Sequence, residues 1–213
     1  MAFRGWSHEA ISFYEDLELD NTKTFWLAHK PIYEQEVLAP MRALLEALEP
    51  EFGTARLFRP YRDTRFSSDK SPYKTTIAAE VENGGYIQFS AAGLGAGAGA
   101  YHLASDQLER YRLAVDDDRR GRELEAIVDT LVASGCTVIA HDVLKTAPRG
   151  YSKGHPRIEL LRHKGMAIWR ELPASDWLGK AKAPDRIAAF FRAARPLTDW
   201  VDCYVGPSKL PPR

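Results

Sequence analysis

Two runs of alternating apolar and polar residues flank a tight-turn dipeptide, Asn83 and Gly84. The apolar residues recur at every second position: Ile77, Ala79 and Val81 before the turn, and Ile87, Phe89 and Ala91 after it. A period of two places successive side chains on opposite faces of a strand, and Asn-Gly favours the turn of a hairpin. The sequence therefore predicts an antiparallel hairpin. A third strand from Gly95 to Tyr101 would extend it to a meander of at least three strands.

Helical periodicity lies on both sides of this sheet region. A helix is expected from Ser7 to Leu19, with Asp20 and Asn21 capping a second helical stretch that Pro31 and Pro40 kink or divide. Beyond the hairpin we expect helices at 105–115 and 124–134, the second ended by Gly135, and short strands at 137–139 and 143–145. A short helix at 156–163, a strand at 166–172, a helix at 187–194 and a separate last helix from Pro196 complete the pattern.

This order of elements predicts an α+β fold, an antiparallel sheet packed against helices, because the βαβαβ rhythm of a doubly wound parallel sheet is missing. A chain of 213 residues fits one domain of this class. We expect a single domain over residues 1–206 and a flexible tail over 207–213.

Charge and cysteine content argue against several functional classes. The formal net charge is zero, which argues against a nucleic-acid or membrane binder driven by bulk charge. No run approaches the ~20 apolar residues that span a bilayer. Cys136 and Cys203 are far apart and form no CxxC unit, so reduced thiols in the cytoplasm are the simplest expectation.

Two segments concentrate positive charge. The first, residues 59–75, has Arg59, Arg62, Arg65, Lys70 and Lys74 against Asp63 and Asp69. The second, residues 145–164, has Lys145, Arg149, Lys153, Arg157, Arg162 and Lys164 against Glu159, together with His155 and His163. One interpretation is that folding brings both segments to one anion-binding site. The other is that these cations pair with carboxylates and only shape the surface.

Each segment offers particular candidates. In the first segment, an Asp flanked by two arginines indicates a structural ion pair, so Lys70 and Lys74 are better ligand contacts than Arg62 and Arg65. In the second, Pro156 suits the first turn of a helix, and the free N–H groups near Gly154 and His155 would attract an anion. The cations that would also hold this anion are Lys145, Arg149 and Lys153.

Catalysis, if there is any, would use His155 as general acid or base, because its side chain titrates near neutral pH. Asp63 or Asp69 would orient or assist it. Tyr73 and Tyr151 are candidates for stacking. No metal or cofactor is expected, since the histidines lack metal-ligand spacing and no phosphate-binding or nucleophile motif is present.

The first basic segment also resembles the signature of a protein family. Residues 62–75, read as RDTRFSSDKSPYKT, are similar to the signature of a bacterial and fungal family, domain of unknown function 2461. Three further pieces fit that family in order: Asn21 to Tyr33, Gly97 to Tyr101, and Leu144 to Leu161. The resemblance implies an α+β fold over nearly the whole chain. It implies no reaction, cofactor or substrate.

Three functions follow as hypotheses. The first is a protein that binds or acts on a phosphorylated small molecule, with Arg65, Lys74, Arg149 and His155 lining one cleft. The second is a nucleic-acid-binding or processing module, in which the same cations contact phosphates. The third is a non-enzymatic scaffold that binds a partner through an apolar patch. Whether the chain is an enzyme, and its oligomeric state, stay open at this point.

Overall fold

The structure is a computed structural model that describes residues 2–65, 67–83 and 85–211. Gly84 of the predicted turn, Phe66 of the family signature and the last two residues of the predicted tail lie outside this range. The helices are α1 (His8–Leu19), α2 (Lys23–Ile32), a π-helical segment (Tyr33–Leu38), α3 (Ala39–Phe52), α4 (Ser105–Asp116), α5 (Asp118–Ala133), α6 (Ile158–Arg162) and α7 (Ala183–Tyr204). The strands are β1 (Ala55–Leu57), β2 (Thr76–Val81), β3 (Gly85–Ser90), β4 (Gly93–Ala100), β5 (Thr137–Ile139) and β6 (Met166–Pro173).

The six strands form one open sheet in the order β1-β2-β3-β4-β6-β5. Strands β2 and β3 are antiparallel, with Ile77 opposite Phe89 and Ala79 opposite Ile87, as the alternating pattern predicts. The α+β prediction and its antiparallel sheet are therefore confirmed. The chain divides into two compact units, Met1–Ala96 with Glu171–Phe190 and Gly97–Arg170 with Phe191–Arg213. They are called the first and second unit below.

Aromatic side chains build the core of the first unit. Trp6 stacks on Phe89 of β3 with 4.6 Å between ring centroids, and Phe13 of α1 contacts Trp26 of α2. These rings are almost fully buried, and each aromatic pair adds ~1 kcal/mol to what burial of its apolar area contributes. The segment before α1 thereby packs on β3, and α2 packs on α1.

Pro31 explains the π-helical segment that follows it. Proline lacks an N–H and cannot close the helical bond to Leu27, so the turns after it widen into Tyr33–Leu38 before α3 begins. The interruption expected from Pro31 and Pro40 takes the form of this π-helical segment, which lies between the two prolines. The predicted cap is different, because Thr22 accepts the N–H of Phe25 at 3.2 Å and Asn21 has another role.

In the second unit, a buried arginine joins the corner between α4 and α5. Arg157 Nε donates to the Val115 carbonyl at 2.7 Å, and its Nη2 donates to the Asp116 carbonyl and to Asp118, each at 3.1 Å. The guanidinium thus satisfies carbonyl groups at the end of α4 that have no partner within the helix.

Two local predictions are wrong, and one strand is missing from the prediction. Helix α7 runs through Pro196 as one element, because a proline removes one bond while Leu197 and Trp200 continue the buried stripe. Strand β1 was not predicted, since three residues give no periodicity. Val143 forms only an isolated bridge with His163 in place of the strand expected at 143–145.

A glycine in β4 allows a close approach of the neighbouring strand β6. At Gly97 the ring of Trp169 from β6 lies 3.2 Å from where a Cβ would stand. Among the residues described, no helix combines the length and the apolar composition that crossing a membrane requires.

Candidate functional site

The first basic segment forms a closed loop in the first unit. Its two ends are joined by backbone bonds from Arg62 to the Pro72 carbonyl (2.9 Å) and from Lys74 to the Pro60 carbonyl (2.8 Å). Asn21 clamps the loop: its Oδ1 accepts the N–H of Tyr73 and its Nδ2 donates to the Tyr73 carbonyl, both at 3.0 Å. The Tyr73 ring stacks on Trp26 and is buried. The structure therefore places this candidate for stacking in the core.

Most charges of this loop are paired inside it. Arg65 Nη2 lies 2.6 Å from Asp63 Oδ2, Arg62 pairs with Asp69, and Lys70 Nζ donates to the Thr64 carbonyl at 3.0 Å. Hydrogen bonds from Arg65 lower the pKa of Asp63. These residues therefore show the structural ion pairing that was the alternative interpretation.

Lys74 has a different environment. Its Nζ lies 5.3 Å from the centre of the Phe58 ring, and no carboxylate comes within 4.0 Å of it in the part of the chain that the structure describes. Burial first, and then the positive charge of Arg59, lower the pKa of Lys74. The Lys74 ammonium group therefore has Arg59 as a like-charged neighbour, and no carboxylate of the described residues pairs with it.

A groove beside this loop runs between α3 and the edge strand β1. Its volume is about 670 Å³. Helix α3 and the residues before it contribute one wall, and the segment around β1 contributes the other. The lining residues are Tyr33, Leu38, Arg42, Leu45, Glu46 and Glu49 on the first wall, and Thr54, Ala55, Leu57, Phe58, Arg59 and Pro60 on the second. This space is called the α3–β1 groove.

The two walls run in opposite directions, which gives the groove two distinct ends. At one end Gly53 connects α3 directly to β1. At the other, Tyr33 before α3 and Tyr61 after β1 both contact Trp26, with centroid distances of 4.8 and 6.2 Å.

The ends therefore differ in charge. Arg42, near the start of α3, and Arg59, after β1, form the arginine end, whereas Glu49 and Thr54 lie at the opposite, glutamate end. Over the described residues, neither Arg42 nor Arg59 has a carboxylate within the 4.0 Å of an ion pair. Burial raises the pKa of Tyr33, at the arginine end, to about 12, against a smaller opposing effect of Arg42. Its hydroxyl thus stays protonated and can donate a hydrogen bond.

The second basic segment lies in the second unit, where His155 has both ring nitrogens occupied. Its Nδ1 accepts the N–H of Arg157 at 3.0 Å, so Nε2 carries the proton and donates to Asp116 Oδ1 at 3.1 Å. Tyr151 meets the His155 ring edge-on at 6.3 Å. Burial and the charge of Asp116 raise the pKa of Tyr151.

The backbone near Pro156 differs from the expected anion seat. The N–H groups of Gly154, His155 and Arg157 already donate to the Ser152 hydroxyl, the Ser152 carbonyl and His155 Nδ1. Helix α6 begins only at Ile158 and has five residues. The donors that would have held an anion are therefore used within the loop.

The remaining cations of this segment fall into two groups. Arg162 pairs with Glu159 at 3.0 Å and Lys164 pairs with Asp142 at 2.5 Å. Lys145, Arg149 and Lys153 are exposed and make no ion pair with any described residue. The meeting of the two basic segments at one site, and the catalytic roles of His155, Asp63 and Asp69, stay predictions.

The groove residue Arg42 was not a candidate from the sequence. Arg59 belongs to the first basic segment, but nothing in the sequence connects it with a helical arginine 17 positions earlier. Among the described residues, no group of three or more His, Cys, Asp or Glu side chains is arranged to hold a metal ion.

One comparison with known proteins gives a match. The family model described as "Conserved hypothetical protein (DUF2461)" matches residues 9–200, which is most of the chain. No curated protein and no solved structure matches.

Proposed function

Because the chain belongs to the DUF2461 family, whose description assigns no reaction, we propose a function from the geometry: the chain binds an anionic ligand in the α3–β1 groove. The ligand's phosphate or carboxylate is held at the arginine end. The two unpaired arginines of that end carry the proposal.

An arginine in a groove without a carboxylate partner is available to a ligand. Its planar guanidinium donates two parallel hydrogen bonds to a phosphate or carboxylate, and each charge-assisted bond contributes ~1.5–3 kcal/mol. Arg42 and Arg59 come from separate elements, so the fold places both beside one space. The protonated Tyr33 hydroxyl adds a neutral donor.

The first basic segment contributes to this site through Arg59 and Lys74. Lys74 lies against Phe58, which lines the groove, and its charge acts together with that of Arg59. Arg62, Arg65 and Lys70 hold the loop beside them in shape. The anion-binding function expected from the sequence is thus proposed again, with a different set of contact residues.

The test is a titration of the full chain with inorganic phosphate, followed by NMR of the arginine Nε–H groups. We expect the signals of Arg42 and Arg59 to move with phosphate concentration. Arg42→Gln or Arg59→Gln should weaken phosphate binding about tenfold or more, as the loss of one charge-assisted contact requires.

Arg56→Gln is the matched control. Arg56 lies on β1, three residues before Arg59, but it pairs with Glu80 at 2.5 Å and does not line the groove. Its replacement should leave phosphate binding unchanged. If phosphate moves the signals of other arginines and leaves Arg42 and Arg59 unaffected, the proposal is wrong.

Both cysteines are free thiols, Cys136 buried and Cys203 exposed. Free thiols persist in reducing compartments, and this supports a cytoplasmic location as part of the proposal.

A further inference from the structure

Strand β1 has one paired edge and one unpaired edge. It is the first strand of the sheet and, among the described residues, pairs only with β2, in the register Arg56 opposite Glu80. Phe58 N–H donates to the Ala78 carbonyl and Glu82 N–H donates to the Thr54 carbonyl, each at 2.9 Å. Residues 54, 56 and 58 thus direct their backbone groups toward β2.

The hydrogen bonds of an antiparallel ladder alternate along a strand, and this sets the direction of the backbone groups of the other two residues, Ala55 and Leu57. Between positions that bond to β2, the N–H and C=O groups of Ala55 and Leu57 point away from it. Both residues line the α3–β1 groove and are partly exposed. An unpaired edge of this kind is a template for another extended chain.

We infer that the α3–β1 groove takes an extended polypeptide segment of a partner protein, which adds to the sheet as a strand beside β1. This inference rests on the proposed function, because the arginine end then holds a carboxylate of that segment. Backbone bonds to Ala55 and Leu57 would supply affinity, and the groove walls would supply sequence preference.

The charges of the groove define the chemistry of the partner. Arg42 and Arg59 at one end complement an acidic side chain or a C-terminal carboxylate, and Glu49 at the other end complements a Lys or Arg. From Arg42 to Glu49 the helical wall covers ~10 Å at 1.5 Å per residue, and from Arg59 to Thr54 the other wall covers ~16 Å at ~3.3 Å per residue. An extended chain covers these distances in about three to five residues at ~3.3 Å each. The expected segment therefore has an acidic and a basic group about three to five residues apart, with alternating residues between them.

A peptide display library tests this inference on the full chain. Its random peptides are each about ten residues long, which at ~3.3 Å per residue exceeds the length of the groove. Enriched peptides should carry the two opposite charges at that spacing and should lose binding to the Arg42→Gln and Arg59→Gln variants. An enriched peptide is then synthesised with a single N-methyl group at each backbone position in turn.

N-methylation removes one donor and leaves the side chains intact. If the peptide pairs with β1, methylation at alternate residues should weaken binding about tenfold, and the residues between them should tolerate it. The tolerant positions are the internal control, and the folding of the protein is not disturbed.

Three results overturn the inference: no enriched peptide that depends on the groove arginines, enriched peptides without the two charges, or an N-methyl scan without a period of two. If inorganic phosphate still moves the Arg42 and Arg59 signals, only the strand-addition inference fails. If phosphate leaves both signals unchanged, the proposed function fails with it.

Discussion

Asn21 shows how one side chain can decide the shape of a distant loop. The residue was expected to cap a helix, but Thr22 does so, and the Asn21 amide instead bonds both backbone groups of Tyr73. The partner lies 52 residues along the chain. Because an amide offers one acceptor and two donors, it can match a backbone N–H and C=O together.

Replacing Asn21 should loosen the basic loop. Asn21→Ala leaves the buried N–H and C=O of Tyr73 without these partners, and we expect the free energy of unfolding to fall by about 1–3 kcal/mol. Asn21→Asp keeps the acceptor for the Tyr73 N–H but turns a carboxylate oxygen toward the Tyr73 carbonyl, so it should also destabilise the chain. Urea unfolding of the three proteins measures the effect, and an unchanged midpoint for Asn21→Ala would show that the clamp contributes nothing.

At the scale of elements, α4 and α5 meet at a corner that leaves no room for a side chain. A Cβ on Gly121, in the first turn of α5, would lie less than 3.0 Å from the Val115 carbonyl and from the Arg157 guanidinium. Arg157 donates to that same carbonyl. A glycine is therefore needed here for close approach, even though it weakens a helix elsewhere.

Gly121→Ala should displace Arg157 and destabilise the chain by about 3 kcal/mol, from overpacking and the loss of a charged hydrogen bond. Gly154→Ala is the matched control in the same unit, because the nearest atom to its Cβ is the Ser152 hydroxyl at 3.8 Å. Thermal unfolding compares the two variants. Equal melting temperatures would contradict the account of this corner.

For the whole molecule, the sequence predicts elements better than sites. The hairpin of β2 and β3 follows from its alternating residues, and α1 begins after Ser7 because that hydroxyl accepts the Ala10 N–H at 3.3 Å. Both signals are local. The continuation of α7 through Pro196 depends on burial of its apolar stripe, which local rules do not contain.

The candidate site depends on tertiary structure for the same reason. Sequence could show that Arg62 and Asp69 lie in a charged loop, but not that they pair while Arg59 stays unpaired. Arg42 and Arg59 become neighbours of one groove only when β1 forms beside α3, and β1 has three residues. Which cations are structural and which are available to a ligand therefore depends on the tertiary structure.

The most direct test of the central claim is a crystal of the full chain soaked in selenate, whose anomalous signal locates a phosphate-like anion. We predict a peak in the α3–β1 groove, within hydrogen-bond reach of the Arg42 or Arg59 guanidinium, which disappears in the double variant Arg42→Gln and Arg59→Gln. Peaks confined to other cations, such as Lys145, Arg149 or Lys153, with an empty groove would contradict it.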